Sequence, residues 1–392
     1  MATVQGHCDP KFEAVKALLQ ANLDNGEDLG ASITLNIDGT NVIDIYGGFK
    51  DAAKTQPWEE DTIVNVYSST KTLISLAVFV LIERGLVDPD EPVAKYWPEF
   101  AANGKENVKV RHIMSHTSGL AGFEVETKQE ELYDFDTATS RLEAQAPWWE
   151  PGTASGYHAI TMGFLLGELV RRVTGLTMPQ FLEKEVTGPL GADFQIGCKD
   201  ADLARVSDLI PLNNNVADAY RDAPVKPPFG MKTFLNPNMP NDAANTSAWR
   251  KAELGAANGH SNSRGMNRAL SVIPLGGEVD GVRLLSQKTI DRIFEEQSNG
   301  ADLVLGVPLQ LGMGYGLPQS PFLTDMLPTG RICFWGGYGG SLVIMDVDRR
   351  MTLTYAMNRM QNGMMGTPTG RAYTRKVYEI LGVNLPAPAV SM

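Results

Sequence analysis

The chain has 392 residues, of which 43% are hydrophobic and 20% are charged, and its formal net charge is −12. A chain of this length and composition is globular, has a sizeable core and is long enough for about two or three domains. Because an acidic surface repels nucleic-acid phosphates, the charge balance argues against a nucleic-acid partner.

Cysteine usage and the lack of long apolar tracts bear on location. Cys8, Cys198 and Cys333 are far apart and odd in number, so they predict reduced thiols and neither a disulfide framework nor a zinc site. Residues 1–23 contain no basic segment followed by an apolar one, so we expect no secretory signal. No stretch of about 18 consecutive apolar residues occurs, so we expect no membrane span and a cytoplasmic location.

In the N-terminal part, apolar side chains recur at a helical period over residues 12–23, which predicts an amphipathic helix. Alternating apolar positions on both sides of Asp38-Gly39 predict a β-hairpin. Residues 62–67 favour a short strand, and residues 68–84 favour a helix directly after it.

The middle of the chain combines helical segments, such as residues 162–173, with loops rich in Pro and Asn, above all residues 211–245. Loops of that length are often functional, and a flexible surface excursion is an equally good interpretation. The remaining pattern predicts, in chain order, a helix at 287–297, strands at 331–335, 341–346 and 351–357, a turn at Asp348-Arg349 before the last strand, and a helix at 371–381.

Strands and helices at the two ends of the chain therefore flank a mainly helical middle. This order predicts an α+β fold (α/β plus all-α), with an antiparallel sheet that is flanked by helices and built from both ends of the chain. Residues 1–87 and 255–392 would form that α/β domain, and residues 88–254 would form an inserted, mainly helical domain with long loops. A cleft between the two is a natural ligand site.

Ser68 and Lys71 form a Ser-x-x-Lys motif at the predicted junction of strand and helix. Because positions i and i+3 share one helix face, the Lys71 amine can reach the Ser68 hydroxyl. Serine is a weak nucleophile until a neighbouring base takes its proton, and a buried lysine with a lowered pKa can be that base. The alternative is a capping serine beside a solvated lysine, and Ser69 could instead supply the cap.

Tyr157 lies just before an apolar helical segment. Beside a lysine ammonium, its phenolate would be favoured and could act as a general base. A core tyrosine that anchors the helix is the structural alternative. His158 is a second candidate base, but a side chain next to Tyr157 on a turn is expected to point elsewhere.

Residues 331–341, RICFWGGYGGS, are strand-like and then glycine-rich. Glycine lets a backbone approach a ligand closely. A strand edge beside Ser68 could therefore offer a backbone N–H that, with the N–H of Ser68, forms an oxyanion hole. The same segment also suits a hairpin that turns at Gly339-Gly340, and both interpretations can hold.

Together and in this order, these three motifs resemble the serine β-lactamase and penicillin-binding-protein superfamily, and more narrowly class C β-lactamases and family VIII carboxylesterases. The stretches VYSSTKTL, HIMSHTSGL, PGTASGYHAITMGFLLGEL and GPLGA carry the resemblance, which covers most of the chain. It implies a β-lactamase/DD-peptidase-like fold. It also implies that Ser68 is the nucleophile, Lys71 its partner and Tyr157 the base or proton relay, without a metal or cofactor.

The resemblance extends to the third motif. It implies that Trp335, Gly336 and Gly337 stand where β-lactamases carry Lys-Thr-Gly, and that they contact substrate. It also implies that the backbone N–H groups of Ser68 and Tyr338 form the oxyanion hole.

Two departures from the β-lactamase pattern bear on the substrate. Tyr157-His158-Ala159 replaces the usual Tyr-x-Asn, whose asparagine holds the substrate amide, and Trp335 replaces a lysine that helps hold the substrate carboxylate. Losing both groups disfavours β-lactam and peptidoglycan substrates, whereas an uncharged aromatic wall suits a neutral ester. His116, in the His-Thr-Ser-Gly stretch, is expected to be structural.

The expected function is that of a serine carboxylesterase, which hydrolyses small carboxylic esters or transfers their acyl group through an acyl-enzyme at Ser68. The alternatives are an acyltransferase of secondary metabolism, a β-lactamase or D-peptidase of the same fold, and a non-catalytic binding protein. The intact set of Ser68, Lys71 and Tyr157 argues against the last. Trp148 and Trp149 are candidates for shaping the substrate pocket, and packing between domains is an equally good interpretation for them.

Overall fold

Strands from both ends of the chain meet in one large sheet, which the computed structural model describes within residues 3–213, 226–363 and 366–387. The strands are β1 (Gln5–Cys8), β2 (Gly30–Ile37), β3 (Thr40–Gly48), β4 (Ile63–Asn65), β5 (Phe194–Ile196), β6 (Val206–Ser207), β7 (Gly259–Ser261), β8 (Glu278–Val279), β9 (Val282–Arg283), β10 (Ser298–Ala301), β11 (Pro308–Leu311), β12 (Gly316–Leu317), β13 (Ile332–Gly336), β14 (Leu342–Asp346) and β15 (Met351–Met357). The helices are α1 (Glu13–Asn25), α2 (Thr70–Glu83), α3 (Val110–Met114), α4 (Phe135–Ala144), α5 (Thr161–Thr174), α6 (Met178–Leu182), α7 (Gly188–Leu190), α8 (Gly230–Phe234), α9 (Ser247–Lys251), α10 (Ser263–Leu270), α11 (Gln287–Asp291) and α12 (Pro368–Ile380).

Within the described residues, the large sheet is antiparallel throughout and runs in the order β1-β3-β2-β15-β14-β13-β12-β11-β10. The N-terminal and C-terminal parts join at its centre, where Ile37 of β2 pairs with Met351 of β15. The predicted hairpin is confirmed, since Asp38 (φ 50°) and Gly39 (φ 87°) form the left-handed turn between β2 and β3. The predicted α+β fold with an antiparallel sheet flanked by helices is likewise confirmed.

Helices α2, α10 and α12 fix this sheet, and α2 carries Lys71. Helix α2 is apolar on nearly all sides and almost completely buried, as its continuous apolar sequence predicts. Asn267 of α10 donates to the Thr352 carbonyl of β15 over 2.8 Å. The Tyr373 hydroxyl of α12 contacts the buried carboxylate of Asp28 and accepts from Asn22 of α1, which ties both terminal helices to the edge of β2.

A second, four-stranded sheet runs in the order β5-β7-β4-β6 among the described strands. Its outer strands β5 and β6 belong to the predicted helical part, residues 88–254, and its inner strands β4 and β7 belong to the predicted sheet domain. The small sheet thus connects the two parts, and the division at 87/88 and 254/255 stays a prediction.

Some element boundaries differ from the sequence patterns. The predicted helix at 287–297 was too long, because α11 ends at Asp291 and the chain soon pairs as β10 at the sheet edge. Strands β10, β11 and β12 were not predicted, because these segments are short and apolar and polar residues alternate only weakly along them. Helix α12 begins earlier than residue 371, because Thr367 caps it and Pro368 occupies its first turn.

The predicted loop at 211–245 is partly helical. Residues 230–234 form α8, and a 3-10 turn follows at Ala243–Asn245, whereas residues 214–225 lie outside the described part of the chain. Over the described ranges, no helix is both long and apolar enough to cross a bilayer. Cys8, Cys198 and Cys333 form no disulfide.

Lys105 is a buried cation that fastens the end of α4. Its ammonium donates to the backbone carbonyls of Ala102, Glu143 and Gln145, over 2.7, 2.8 and 2.5 Å. We expect Lys105→Met to lower the free energy of unfolding by about 3 kcal/mol, because three carbonyls lose their donor and one of them, that of Gln145, belongs to a buried residue. Urea denaturation measures this, with the exposed Lys95→Met as a control that should change stability little. A loss at position 105 no larger than in the control would contradict the role.

Candidate active site

The serine of the Ser-x-x-Lys motif lies in the tight connection between β4 and α2. Tyr67, directly before Ser68, has a φ of 41°, a left-handed conformation that is rare for a bulky residue and often found at functional sites. The Tyr67 ring is held edge-on by Trp249 and Tyr338, at centroid distances of 5.9 and 5.5 Å. This turn leaves Ser68 partly exposed at the wall of a cavity.

Lys71 lies one helical turn further on and is buried. Its Nζ donates to the backbone carbonyls of Ala159 (2.7 Å) and Ala256 (3.0 Å) and lies 3.1 Å from Ser68 Oγ. Burial lowers the pKa of Lys71 well below its ordinary value of 10.5. A neutral amine has two N–H donors for the two carbonyls, and its lone pair is then left to accept the Ser68 proton.

Tyr157 reaches the same serine from the opposite side. Its phenol donates to Ser68 Oγ over 2.6 Å, and Lys71 Nζ lies 4.7 Å from the centre of its ring. Burial raises the pKa of Tyr157 to about 12, although contacts with Ser68 and with the Trp335 indole lower it; the charge of Asp302 raises it further. The expectation that a neighbouring ammonium favours the phenolate is therefore wrong, because burial favours the uncharged forms of both Lys71 and Tyr157.

The histidines near Tyr157 support its segment. His158 donates from Nδ1 to the Gly156 carbonyl (2.6 Å), and its Nε2 accepts from Ser118 Oγ (2.6 Å). Burial lowers the pKa of His158 to about 4, so the ring is neutral and both of its nitrogens are occupied. His116 accepts the backbone N–H of His158 at Nδ1 and packs edge-on against Tyr157. Neither ring contacts Ser68 through a hydrogen bond in the described structure.

The glycine-rich turn after β13 packs directly against the serine turn. A Cβ at Gly337 would lie 2.2 Å from both the Val66 carbonyl oxygen and Ser341 Oγ, so only glycine allows this approach. Ser341 donates to the Val66 carbonyl (2.7 Å) and contacts Ser69 Oγ (2.9 Å). Ser69 therefore occupies the cap position of α2 without capping it, contrary to one sequence-based alternative.

Ser68 and Tyr157 open into a cavity of about 740 Å³, to which Trp335, Gly336, Gly337 and Tyr338 also contribute. Among the described residues that line it there is no Asp, Glu, Lys or Arg. In the same part of the chain, no cluster of three or more His, Cys, Asp or Glu side chains forms a metal-binding arrangement.

Trp148 and Trp149 are not among the residues that line this cavity. Both rings pack on Phe229, at 5.5 and 5.3 Å, and Phe229 leads into α8, which supplies Thr233 and Phe234 to the cavity wall. The two tryptophans thus support the wall from behind.

Sequence patterns indicated Ser68, Lys71, Tyr157 and the glycine turn, and the structure brings all of them together. They missed the two carbonyls that hold Lys71, as well as Ser341. Ser341 follows the glycines and could have been noticed as a polar residue directly before the apolar strand β14, whereas the carbonyl of Ala256 gives no signal in the sequence.

Comparison with known proteins places this site in a family. The Beta-lactamase family model matches residues 15–376. The chain is 31% identical to Esterase/beta-lactamase LipL of Mycobacterium tuberculosis over 93% of this chain and 85% of that protein. A solved family VIII carboxylesterase superposes with a TM-score of 0.88 at 35% identity, covering 96% of this chain and 99% of the other. A penicillin-binding protein homologue from Caulobacter crescentus superposes with a TM-score of 0.85 at 33% identity, covering 96% and 99%.

The chain therefore belongs to the β-lactamase family. Within that family it is a serine hydrolase.

We expect Gly337→Ala to lower kcat/KM for 4-nitrophenyl butyrate by about 100-fold, because the added methyl group separates the glycine turn from the serine turn. Gly300→Ala is the matched control, since a Cβ at Gly300 meets nothing within 4 Å. Steady-state kinetics and thermal unfolding of both variants measure the effect. Activity of Gly337→Ala close to that of the control would contradict the close approach.

Proposed function

We propose that this protein is a serine carboxylesterase that cleaves small, uncharged carboxylic esters through an acyl-enzyme at Ser68. The observation that carries the proposal is that Ser68 Oγ lies 3.1 Å from a buried amine, Lys71 Nζ, and 2.6 Å from a phenol, Tyr157 Oη. A nucleophile, a base and an acid thus converge on one cavity. The family membership and the esterase relatives support the same conclusion.

In the first step, the neutral Lys71 amine takes the proton of Ser68 as Oγ bonds to the ester carbonyl carbon. The carbonyls of Ala159 and Ala256 orient the amine so that its lone pair faces Oγ. Once protonated, the ammonium donates to three oxygens in the same positions. The base therefore needs no reorganisation when it becomes charged.

The tetrahedral intermediate carries its negative charge on the former carbonyl oxygen. We assign the backbone N–H groups of Ser68 and Tyr338 as the donors to this oxygen. The Ser68 N–H makes no hydrogen bond within the described part of the chain, and Ser341 and Gly337 hold the segment before Tyr338 against the serine turn. Such donors stabilise charge where it develops in the transition state.

When the intermediate collapses, the bond to the leaving alcohol breaks and the alkoxide needs a proton. We assign Tyr157 as the donor, because its phenol stays protonated at neutral pH and lies beside Ser68. The Tyr157 phenolate then receives the proton that Lys71 took from Ser68, which restores the neutral amine and the phenol. Water, or another alcohol or amine, attacks the acyl-enzyme in the second half-reaction, and the choice of acceptor separates an esterase from an acyltransferase.

The cavity lining that the structure describes carries no charged side chain, and this limits the proposed substrate. A charged group would lose its hydration without gaining a partner, so neutral acyl and alcohol parts fit best. Ala159 and Trp335 occupy the positions of the amide and cation that the β-lactamase pattern uses, and neither replaces their function. We therefore propose esters as the preferred substrates over β-lactams and peptides.

Ser68→Ala should lower hydrolysis of 4-nitrophenyl butyrate by at least about 1,000-fold, because the nucleophile is removed while the packing of α2 is kept. Activity assays and labelling with a fluorophosphonate, located by peptide mass spectrometry, measure this. Ser286→Ala, at the surface cap of α11, is the control and should keep both activity and label. Label on a residue other than Ser68, or a variant that retains its activity, would reject the assignment.

The proposed base also predicts a pH profile. Lys71 acts only when neutral, so kcat/KM should rise as pH increases through its lowered pKa and reach a plateau well below pH 10.5. The plateau ends only as Tyr157 loses its proton, towards pH 12. Lys71→Arg, which stays protonated, should be inactive across the whole range. An enzyme that becomes active only near the ordinary lysine pKa would contradict a neutral Lys71.

A further inference from the structure

Asp302 is a buried carboxylate behind the cavity, at the start of the connection between β10 and β11. Its side chain is 1% exposed, and its Oδ1 accepts the backbone N–H groups of Tyr157 (3.0 Å), Val304 (3.0 Å) and Leu305 (2.8 Å). It forms no ion pair with a cation among the described residues. Burying a carboxylate without a cation is costly, and backbone N–H groups are its compensation here.

Two of these contacts are local and one is long-range. The N–H groups of Val304 and Leu305 close the turn that Asp302 itself begins, an arrangement that many Asp residues adopt in loops. The contact with Tyr157 instead spans 145 residues of sequence. Next to it, the Leu303 N–H donates to the Ser155 carbonyl over 2.8 Å.

The β10–β11 connection therefore holds the Tyr157 segment at two backbone positions. Its side chains continue the contact, because Val304 packs in one apolar cluster with Tyr157 and Trp335, and Leu305 lines the cavity. The backbone of Tyr157 is thus held by Asp302, on the side away from the cavity, and its phenol is held by Ser68, at the cavity wall.

We propose that Asp302 is a positioning residue for catalysis, which fixes the Tyr157 backbone so that the phenol oxygen stays beside Ser68 and the leaving alcohol. The proposal rests on the proposed role of Tyr157 as the proton donor. Asp302 itself is behind the tyrosine and acts only through it.

The charge of Asp302 has a second effect on the same phenol. It raises the pKa of Tyr157, in the same direction as burial, whereas the Ser68 hydroxyl and the Trp335 indole lower it. The other titratable groups that face the ring are the Lys71 amine and the His116 imidazole, and burial lowers the pKa of both. This effect requires an ionised carboxylate, whereas burial raises the pKa of Asp302 itself. The positioning role therefore depends on the hydrogen bond to the Tyr157 backbone and not on this charge.

The test compares two esters with the same acyl group, 4-nitrophenyl butyrate and phenyl butyrate. Both form the same acyl-enzyme, so kcat/KM reports acylation, but phenolate is the more basic leaving group and depends more on a proton donor. We expect Asp302→Ala to lower kcat/KM for phenyl butyrate about 10-fold more than for 4-nitrophenyl butyrate, because a displaced donor affects the more basic leaving group most. Asp302→Asn, which keeps a carbonyl oxygen at the same place, should restore most of the loss.

A third variant keeps the test decisive if Asp302→Ala does not fold. The shorter hydroxyl of Asp302→Ser can still accept from the turn N–H groups but does not extend to Tyr157. This variant should therefore lose more kcat/KM on phenyl butyrate than on 4-nitrophenyl butyrate, as expected for Asp302→Ala. Asp346→Asn is the matched control, because it alters another buried carboxylate. The backbone of Asp346 pairs with that of Ile332 at the start of β13, whereas Gly336 lies at the other end of that strand, next to the site. This control should leave the ratio between the two esters unchanged even if it lowers the melting temperature.

Tyr157→Phe separates failure of this inference from failure of the proposed function. Like the Asp302 variants, it should lose more kcat/KM on phenyl butyrate than on 4-nitrophenyl butyrate. Adding Asp302→Ser to Tyr157→Phe should not change the ratio of the two kcat/KM values further. If the Asp302 variants lose kcat/KM equally on both esters, the role of Asp302 is only structural and the inference is overturned. If Tyr157→Phe hydrolyses both esters as the unmodified enzyme does, the proposed role of the tyrosine itself is wrong.

Discussion

The hydrogen bonds of one buried amine organise this site. Lys71 Nζ meets the carbonyls of Ala159 and Ala256, and through Ser68 Oγ it is connected to Tyr157. The two carbonyls come from the segment after the tyrosine and from the segment before β7, so the amine joins three separate parts of the chain. If Lys71 is the base for Ser68, as proposed, any shift of one part changes the direction in which its lone pair points.

In the proposed mechanism this amine and this phenol divide the proton transfers between them, and desolvation is the physical reason. Burial favours the uncharged form of each group, so the pKa of Lys71 falls while the pKa of Tyr157 rises. A neutral amine is a base and a protonated phenol is an acid at the same pH. In the proposed mechanism, these two shifts place a proton acceptor and a proton donor around one serine oxygen.

The described lining of the cavity also lacks charged side chains, and at position 335 it departs from the β-lactamase pattern. Trp335, which stands where the β-lactamase pattern has a lysine, contacts Tyr157 at a centroid distance of 5.5 Å, and its indole lowers the pKa of Tyr157. The tryptophan therefore acts on the acid–base group as well as forming a wall. Gly337 lets the end of the same strand approach the serine turn.

The sequence by itself determined the elements and motifs that depend on neighbours a few residues apart. The β2–β3 turn, helix α2, the Ser68–Lys71 spacing and the glycine turn are all local patterns, and each occurs where the sequence predicts it. Only the tertiary structure decided the charge states and the supports of the site. Lys71 is 88 and 185 residues from the carbonyls that hold it, and Asp302 is 145 residues from Tyr157. Burial and hydrogen bonding across such separations arise when the whole chain packs, so no short-range pattern encodes them.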